Sequence, residues 1–149
     1  MDMITRSPKE TQALGARLAA MLRPGDTMVL NGEMGVGKSE FARGVARGLG
    51  ITGPVPSPSF TILNAYDEGT LPLYHFDWYR IRDPEEIREM GMDEQIGGDG
   101  VALIEWSERA PEAVPERHLR VDIRALDEET RELTFTPHGG FPFSEDGLQ

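Results

Sequence analysis

The chain has no cysteine and no long apolar run, and each absence narrows what the protein can do. Without cysteine, neither disulfide bonds nor thiolate chemistry is available, which suits a reducing cytoplasm. No stretch approaches the length of a membrane span, and residues 1–6 contain no apolar core of signal-peptide length. We therefore expect a cytoplasmic protein that does not associate with a membrane.

Basic residues are also scarce. Lysine and arginine number 15 against 26 aspartates and glutamates, which gives a formal net charge of −11. Such a surface repels phosphate backbones, so free-standing affinity for RNA or DNA is not expected. The length of 149 residues predicts one domain, which we place at 1–136. Residues 137–149 contain proline, glycines and a polar end, and we expect them to form a flexible tail.

One segment carries most of the functional information. Residues 32–39 match the phosphate-binding pattern GxxxxGK[ST]. Glycines let the backbone N–H groups of such a loop point inward at phosphate oxygens, and the helix that follows adds its positive dipole end. Lys38 is expected to be solvated without a ligand and to reach the outer phosphates when they are bound, while the Ser39 hydroxyl is a potential Mg²⁺ ligand.

The context of this segment supports the motif. Residues 27–30 are apolar enough to predict a short buried strand before the loop. Phe41, Val45 and Leu49 lie at helical spacing after it, and Gly50 is placed to end that helix. A strand, a loop and a helix in this order are the setting that a phosphate-binding loop requires.

The remaining pattern predicts an α/β fold with a mixed sheet. Ser7 and Pro8 begin a helix through a capping box, and residues 83–86 begin another that runs to about Met90. Strands are predicted over 60–66, 73–76, 101–104, 120–125 and 130–136, with two hairpins among them. In such sheets ligands bind at the carboxyl ends of parallel strands, where the phosphate-binding loop also lies.

Two acidic residues follow predicted strands. Glu105 comes after the apolar run 101–104 and points at the metal beside Ser39 if the two strands are parallel neighbours; otherwise it is a surface glutamate. Asp77 is a candidate to hold a metal-bound water or to position the attacking water, but an Asp77–Arg80 pair that only fixes the turn is an equal alternative. His75 is expected to be structural.

The segment Ser57-Pro58-Ser59, with Thr61, leaves two interpretations open. Its hydroxyls are placed to sense a γ-phosphate through Mg²⁺, as a mobile switch does. A proline-rich connecting loop is the simpler interpretation.

Together these segments resemble one known family. In chain order they are the phosphate-binding loop, Ser57-Pro58-Ser59-Phe60-Thr61, His75-Phe76-Asp77-Trp78-Tyr79-Arg80, Asp83-Pro84-Glu85-Glu86, Gly91 and Ile104-Glu105-Trp106. This order is similar to that of the TsaE (YjeE) family of bacterial ATPases, which are required for making threonylcarbamoyladenosine in tRNA. The resemblance covers about residues 8–136.

The resemblance implies a P-loop NTPase-like fold in which antiparallel strands flank a parallel core. It also implies slow Mg²⁺-dependent ATP hydrolysis and action with the partner proteins TsaB and TsaD, so that tRNA is contacted only through the complex. The residues expected to act in catalysis are Lys38, Glu105 and Asp77, and those expected to bind Mg²⁺ are Ser39 and Glu105. The residues expected to bind the nucleotide are Gly32, Glu33, Met34, Gly35, Val36, Gly37, Lys38, Ser39, Glu40 and Thr11.

Three other functions were weighed against this one. A GTPase needs an Asn/Thr-Lys-x-Asp motif, which is absent because the only lysines are Lys9 and Lys38. A small-molecule kinase remains open, with Arg109, Arg117, Arg120 and Arg124 as possible residues of an arginine-bearing lid. A nucleotide-binding adaptor that does not hydrolyse ATP also remains open.

Overall fold

The computed structural model describes residues 1–33 and 35–148. Three α-helices lie in this part of the chain: α1 (Pro8–Ala19), α2 (Lys38–Gly48) and α3 (Glu85–Glu89). The strands are β1 (Asp2–Thr5), β2 (Thr27–Asn31), β3 (Leu63–Tyr66), β4 (Leu73–Asp77), β5 (Val101–Glu105), β6 (His118–Ala125) and β7 (Arg131–His138). Short 3₁₀ segments occupy Met92–Glu94, Ser107–Arg109, Pro111–Ala113 and Glu145–Leu148.

All of these strands form one sheet in the order β1, β7, β6, β2, β5, β4, β3. β6, β2, β5 and β4 pair in parallel, whereas β1, β7 and β3 are antiparallel to their neighbours. The predicted mixed α/β sheet with a parallel core and antiparallel flanks is therefore confirmed. The sequence analysis did not predict β1, and it did not foresee that β6 pairs in parallel with β2.

The beginnings and ends of the helices follow their local chemistry. Ser7 caps α1 by accepting a hydrogen bond from the backbone N–H of Glu10, and Pro8 occupies the first turn. Gly50 follows the end of α2 with φ of +87°, a left-handed conformation that favours glycine. Both predicted helix boundaries are confirmed.

The main core lies between one face of the sheet and the helices α1 and α2. Phe41 and Val45 of α2 are fully buried there with Leu14 of α1 and with alternate residues of β2, β5, β6 and β7. This packing fixes the beginning of α2, and therefore the phosphate-binding loop, against the end of β2. A second, smaller core on the other face contains Phe76 and Trp78.

Two predictions about the chain's irregular segments are wrong. The strand expected from Phe60 begins only at Leu63, because residues 58–62 form a turn in which the N–H of Ile62 donates to the carbonyl of Pro58 at 2.8 Å. The tail expected to be flexible contains the end of β7, and Phe141 and Leu148 are buried in the main core. Their apolar side chains outweigh the local glycines.

Among the described residues, none of the helices combines the length and the apolar character that crossing a bilayer would require. The longest, α1, has 12 residues.

Glycine determines how closely α1 and α2 approach. A Cβ atom on Gly44 would overlap the backbone carbonyl of Gln12, and one on Gly48 would lie 2.6 Å from the carbonyl oxygen of Ala16. The opposing Gly15 is equally confined, since its Cβ would lie 2.6 Å from the carbonyl oxygen of Phe41. The two helices therefore pack backbone against backbone.

We predict that Gly44→Ala destabilises the fold by about 1–2 kcal/mol, because overpacking against a rigid backbone outweighs the gain in helix propensity. Thermal unfolding measures the effect. Gly53→Ala is the matched control, because a Cβ there meets only the Glu68 side chain at 3.5 Å. A melting temperature for Gly44→Ala equal to that of the wild type would contradict the close helix contact.

Candidate functional site

The carboxyl ends of β2, β4 and β5 meet at one edge of the sheet, and the phosphate-binding loop leaves β2 there. Gly37 immediately precedes α2 with φ of +108°, a backbone conformation that side chains rarely adopt. No side chain caps α2 among the described residues, so the N–H groups of its first turn are open to an anion. Of the predicted nucleotide-binding residues, Met34 lies outside the described residues.

Lys38 is not solvated, contrary to the expectation from sequence. Its side chain is only 11 % exposed, and its Nζ lies 3.8 Å from Oε1 of Glu105. The ammonium group also lies 5.5 Å from the centre of the Trp106 ring, within the range of a cation–π contact. Lys38 is therefore held between a carboxylate and an aromatic ring.

Glu105 ends β5 and has two different partners. One carboxylate oxygen faces Lys38, and the other, Oε2, lies 2.6 Å from Nε2 of His75. The sequence analysis treated His75 as structural and did not connect it with the site. The sequence does contain a signal that connects His75 with the site. Residues two apart on a strand share a face, and His75 comes two residues before Asp77 on β4.

Asp77 lies opposite Glu105 in the parallel register of β4 and β5. Its Oδ1 accepts the backbone N–H of Tyr79 at 2.9 Å, and its Oδ2 accepts the hydroxyl of Ser59 at 3.3 Å. The Ser59 hydroxyl is in turn 2.8 Å from that of Ser57. Asp77 thereby joins the Ser57–Ser59 loop to the carboxyl edge of the sheet.

Arg80 contacts the Ser57–Ser59 loop rather than the cleft. Its Nε donates to the carbonyl oxygen of Ser59 at 3.0 Å, and its guanidinium lies 4.8 Å from the ring centre of Phe60. The Asp77–Arg80 ion pair considered from sequence is not formed between these described residues, because Asp77 uses the contacts given above. Phe60 itself is 83 % exposed.

The loop, the lysine and the carboxylates line a cleft of about 320 Å³. Its lining residues are Gly35, Gly37, Lys38, Ser39, Glu40, Ser57, Ser59, Asp77, Glu105, Trp106 and Arg131. A larger groove of about 760 Å³ lies across β6 and β7, but it contains only Gly32 of the predicted site. The smaller cleft is therefore the one that gathers the candidate residues.

Arg131 is a lining residue that the sequence analysis missed. It is the first residue of β7, and its Nε donates to the carbonyl oxygen of Val36 at 2.6 Å. Its Nη1 also donates to the carbonyl oxygen of Asp127, and so ties the turn 127–130 to the phosphate-binding loop. Backbone N–H groups of Thr130 and then Glu129 donate to the Asp127 carboxylate and hold its pKa below the usual range.

The other predicted nucleotide-binding residues differ in what they offer. Val36 is buried in the main core, and Glu33 is exposed. Glu40 is engaged with Arg43 at 2.6 Å and with Gln12. The Thr11 hydroxyl is buried and lies 2.6 Å from that of Thr5. Thr11 therefore lines the small cavity beside Gly37 without presenting a free hydroxyl to it.

The donors in the cleft suit Mg²⁺. Ser39, Glu105 and Asp77 supply hydroxyl and carboxylate oxygens, which this cation prefers to nitrogen or sulfur. Within residues 1–33 and 35–148, no group of three or more acidic, histidine or cysteine side chains is arranged to hold a metal unaided. That fits a cation held by one or two protein ligands together with phosphates and water.

The fold and this cleft define a class of protein. A central parallel strand leads through a glycine-rich loop into a helix, and acidic residues end the neighbouring parallel strands. This is the architecture of P-loop-type α/β proteins.

Comparison with known proteins identifies the family within that class. The sequence model of the family "Threonylcarbamoyl adenosine biosynthesis protein TsaE" matches residues 5–133, and the chain belongs to the TsaE family. A TsaE protein from Bacillus subtilis (strain 168) is 44 % identical over 135 residues, which cover 91 % of this chain and 84 % of the relative. A TsaE protein from Treponema pallidum (strain Nichols) is 38 % identical over 134 residues, which cover 90 % and 98 % respectively.

A solved structure agrees with this assignment. The crystal structure of Bacillus subtilis YdiB superposes with a TM-score of 0.81 at 40 % sequence identity. The alignment covers 93 % of this chain and 86 % of that one. The family resemblance proposed from the sequence segments is therefore confirmed.

We predict that Lys38→Met lowers the free energy of unfolding by about 1–3 kcal/mol, because the mostly buried Glu105 carboxylate loses its cationic partner. Chemical denaturation of the nucleotide-free protein measures the change. Lys9→Met is the matched control, since Lys9 is the only other lysine and is exposed. Equal stability of the two variants would show that the Lys38–Glu105 contact contributes nothing.

Proposed function

We propose that this protein is a Mg²⁺-dependent ATPase of the tRNA threonylcarbamoyladenosine machinery and acts with the proteins TsaB and TsaD in the cytoplasm. One observation carries the proposal. The phosphate-binding loop, Lys38, Glu105 and Asp77 line a single cleft, in a chain whose family and relatives are named for threonylcarbamoyladenosine biosynthesis.

In this proposal the chain's own groups divide the work. The open N–H groups of the loop and of the first turn of α2 bind phosphate oxygens, and Lys38 neutralises the outer phosphates. The Ser39 hydroxyl and the Glu105 carboxylate hold Mg²⁺, which when bound neutralises charge between the phosphates. Asp77 orients the attacking water from the neighbouring strand end.

One contact would have to rearrange on binding. Oε1 of Glu105 faces Lys38, and both groups would be needed elsewhere with phosphates and a cation in the cleft. Phosphates would attract the ammonium group, and the Glu105 carboxylate would then be available to a cation. The Lys38–Glu105 contact keeps both charges partnered.

The four arginines considered for a kinase lid each contact another side chain of the protein. Arg117 pairs with Asp26, and Arg120 pairs with Asp122, which lies two residues further along β6. Arg124 pairs with Glu132 on β7. The fourth candidate, Arg109, lies 5.3 Å from the ring centre of Tyr79 and 6.0 Å from that of Trp106. These contacts favour an ATPase that answers to a protein partner over a small-molecule kinase.

The charge of the chain is consistent with an indirect contact with tRNA. At −11 the protein offers RNA little electrostatic attraction. Its target in this proposal is a protein surface, and tRNA is reached through TsaB and TsaD.

Hydrolysis and binding are separable by two substitutions. Lys38→Ala should weaken ATP binding by about 1.5–3 kcal/mol, which is the contribution of a charge-assisted hydrogen bond.

Glu105→Gln should lower hydrolysis far more than binding, because it disturbs the metal and the water rather than most phosphate contacts. Calorimetry with ATP and phosphate release in the presence of TsaB and TsaD measure the two effects.

Glu112→Gln, an exposed glutamate outside the cleft, is the control for Glu105→Gln. Wild-type turnover in Glu105→Gln would place the essential acid elsewhere. Absence of ATP binding by the wild-type chain would refute the proposed function as a whole.

The partner proposal has its own test. A bound γ-phosphate can order the Ser57–Ser59 loop only if it binds two arrangements of that loop with different affinity. We expect the chain to bind TsaB–TsaD more tightly with a non-hydrolysable ATP analogue than without nucleotide. By linkage, the partners should raise the affinity for the analogue by the same factor, about 5- to 150-fold. Equal association with the ATP analogue, with ADP and without nucleotide would refute a nucleotide-dependent switch.

A further inference from the structure

His75 is a buried polar side chain that the proposed mechanism leaves without a role. It lies on β4, is 2 % exposed and shares the face of the strand on which Asp77 lies. Its position in the sheet is set by pairing with Leu103 of β5, two residues before Glu105. The imidazole therefore lies directly behind the two carboxylates that end β4 and β5.

The ring makes one polar contact among the described residues. Its Nε2 lies 2.6 Å from Oε2 of Glu105, a short distance for a hydrogen bond to a carboxylate. Its Nδ1 is buried without a hydrogen-bond partner in the described part of the chain. Since the carboxylate oxygen accepts, Nε2 carries the proton of this hydrogen bond, and Nδ1 is left without a partner among the described residues.

This arrangement is a poor one for a residue that only fills the core. A buried polar atom without a partner is unfavourable, and an apolar side chain of similar size would avoid it. Leu73, two residues earlier on the same face of β4, is such a side chain. The contact that distinguishes histidine from leucine at position 75 is the hydrogen bond to Glu105.

The hydrogen bond from His75 gives the two carboxylate oxygens of Glu105 different partners. Oε2 is held by His75 from inside the sheet, and Oε1 faces Lys38 in the cleft at 3.8 Å. Asp77, the register partner of Glu105, is also mostly buried, so the site holds two carboxylates side by side. A donor behind Glu105 keeps its carboxylate from turning away from the cleft.

We propose that His75 is a positioning residue: it holds Oε2 of Glu105, so that Oε1 stays directed at Lys38 and the cleft. This inference rests on the proposed ATPase function. It gives a role in that function to His75, which lies behind the cleft. His75 touches neither phosphate nor attacking water in this role, and it acts only through the orientation of Glu105.

The first test compares three substitutions at position 75 in ATP hydrolysis with TsaB and TsaD. His75→Phe keeps the bulk but removes the donor, and should lower kcat about 10- to 100-fold, the usual effect of losing a partner behind a metal ligand. The KM for ATP should change much less, because most phosphate contacts remain. His75→Gln, whose amide reaches about as far as Nε2, should recover most of kcat, whereas the shorter His75→Asn should not.

His138→Gln is the matched control, because His138 is exposed at the opposite end of β7 from Arg131 and does not line the cleft. Thermal unfolding of each variant shows whether it folds. If His75→Phe does not fold, the comparison of His75→Gln with His75→Asn still decides. Equal kcat for these two, or wild-type kcat in His75→Phe, would refute positioning while leaving the ATPase assignment intact.

The second test needs neither nucleotide nor turnover. Nitrogen-15 NMR of the nucleotide-free protein assigns the proton of each of the three histidine rings. The His75 proton should lie on Nε2 in the wild type, and this signal should change in Glu105→Leu but not in Glu112→Gln. A ring that is protonated on Nδ1 and not on Nε2 would refute the contact. If the wild type hydrolyses no ATP, the proposed function fails separately, and this measurement still decides whether His75 holds Glu105.

Discussion

The parallel pairing of β2 with β5 is the constraint on which the site depends. In this register Leu30 lies opposite Glu105, so the strand that leads into the phosphate-binding loop ends beside the strand that carries the acid. β4 continues the same parallel arrangement and places Asp77 next to Glu105. A shift of one residue in either pairing would send the carboxylates to the opposite face of the sheet, away from Lys38.

The electrostatics of the cleft follow from that placement. Four ionisable side chains that are mostly buried share one edge, and each has a partner: Lys38 faces Glu105, Glu105 also meets His75, and Asp77 accepts from Ser59 and Tyr79. Buried charges of this kind are tolerated only when they are paired or hydrogen-bonded. The edge of the sheet is thus organised around ionic and hydrogen-bonded contacts between these side chains.

Much of this could be predicted from the sequence because the signals are local. The phosphate-binding pattern, the capping box at Ser7 and the apolar run of β5 each depend on a few adjacent residues, and the structure contains the loop, the helix and the strand that they predict. The two acids were found because each directly follows a strand. The family was identified from segments that combine these signals in one order.

What the sequence did not reveal depends on contacts between distant residues. Arg131 and Val36 are 95 positions apart, and the pairings of β7 with β6 and of β6 with β2 bring them together. The role of His75 required the register of β4 against β5, and the burial of Leu148 required the packing of the last residues beneath α1, where Arg17 donates to the Leu148 carbonyl. Local composition carries no information about such long-range contacts.

The Arg131 contacts have a mechanical consequence. Its guanidinium donates hydrogen bonds both to a carbonyl of the phosphate-binding loop and to carbonyls of the turn 127–130. The hairpin formed by β6 and β7 is therefore tied to the loop. The turn itself is mostly exposed, whereas Val36 is buried in the main core. A protein that displaced the tip of this hairpin would therefore move the loop of residues 32–39 without entering the cleft.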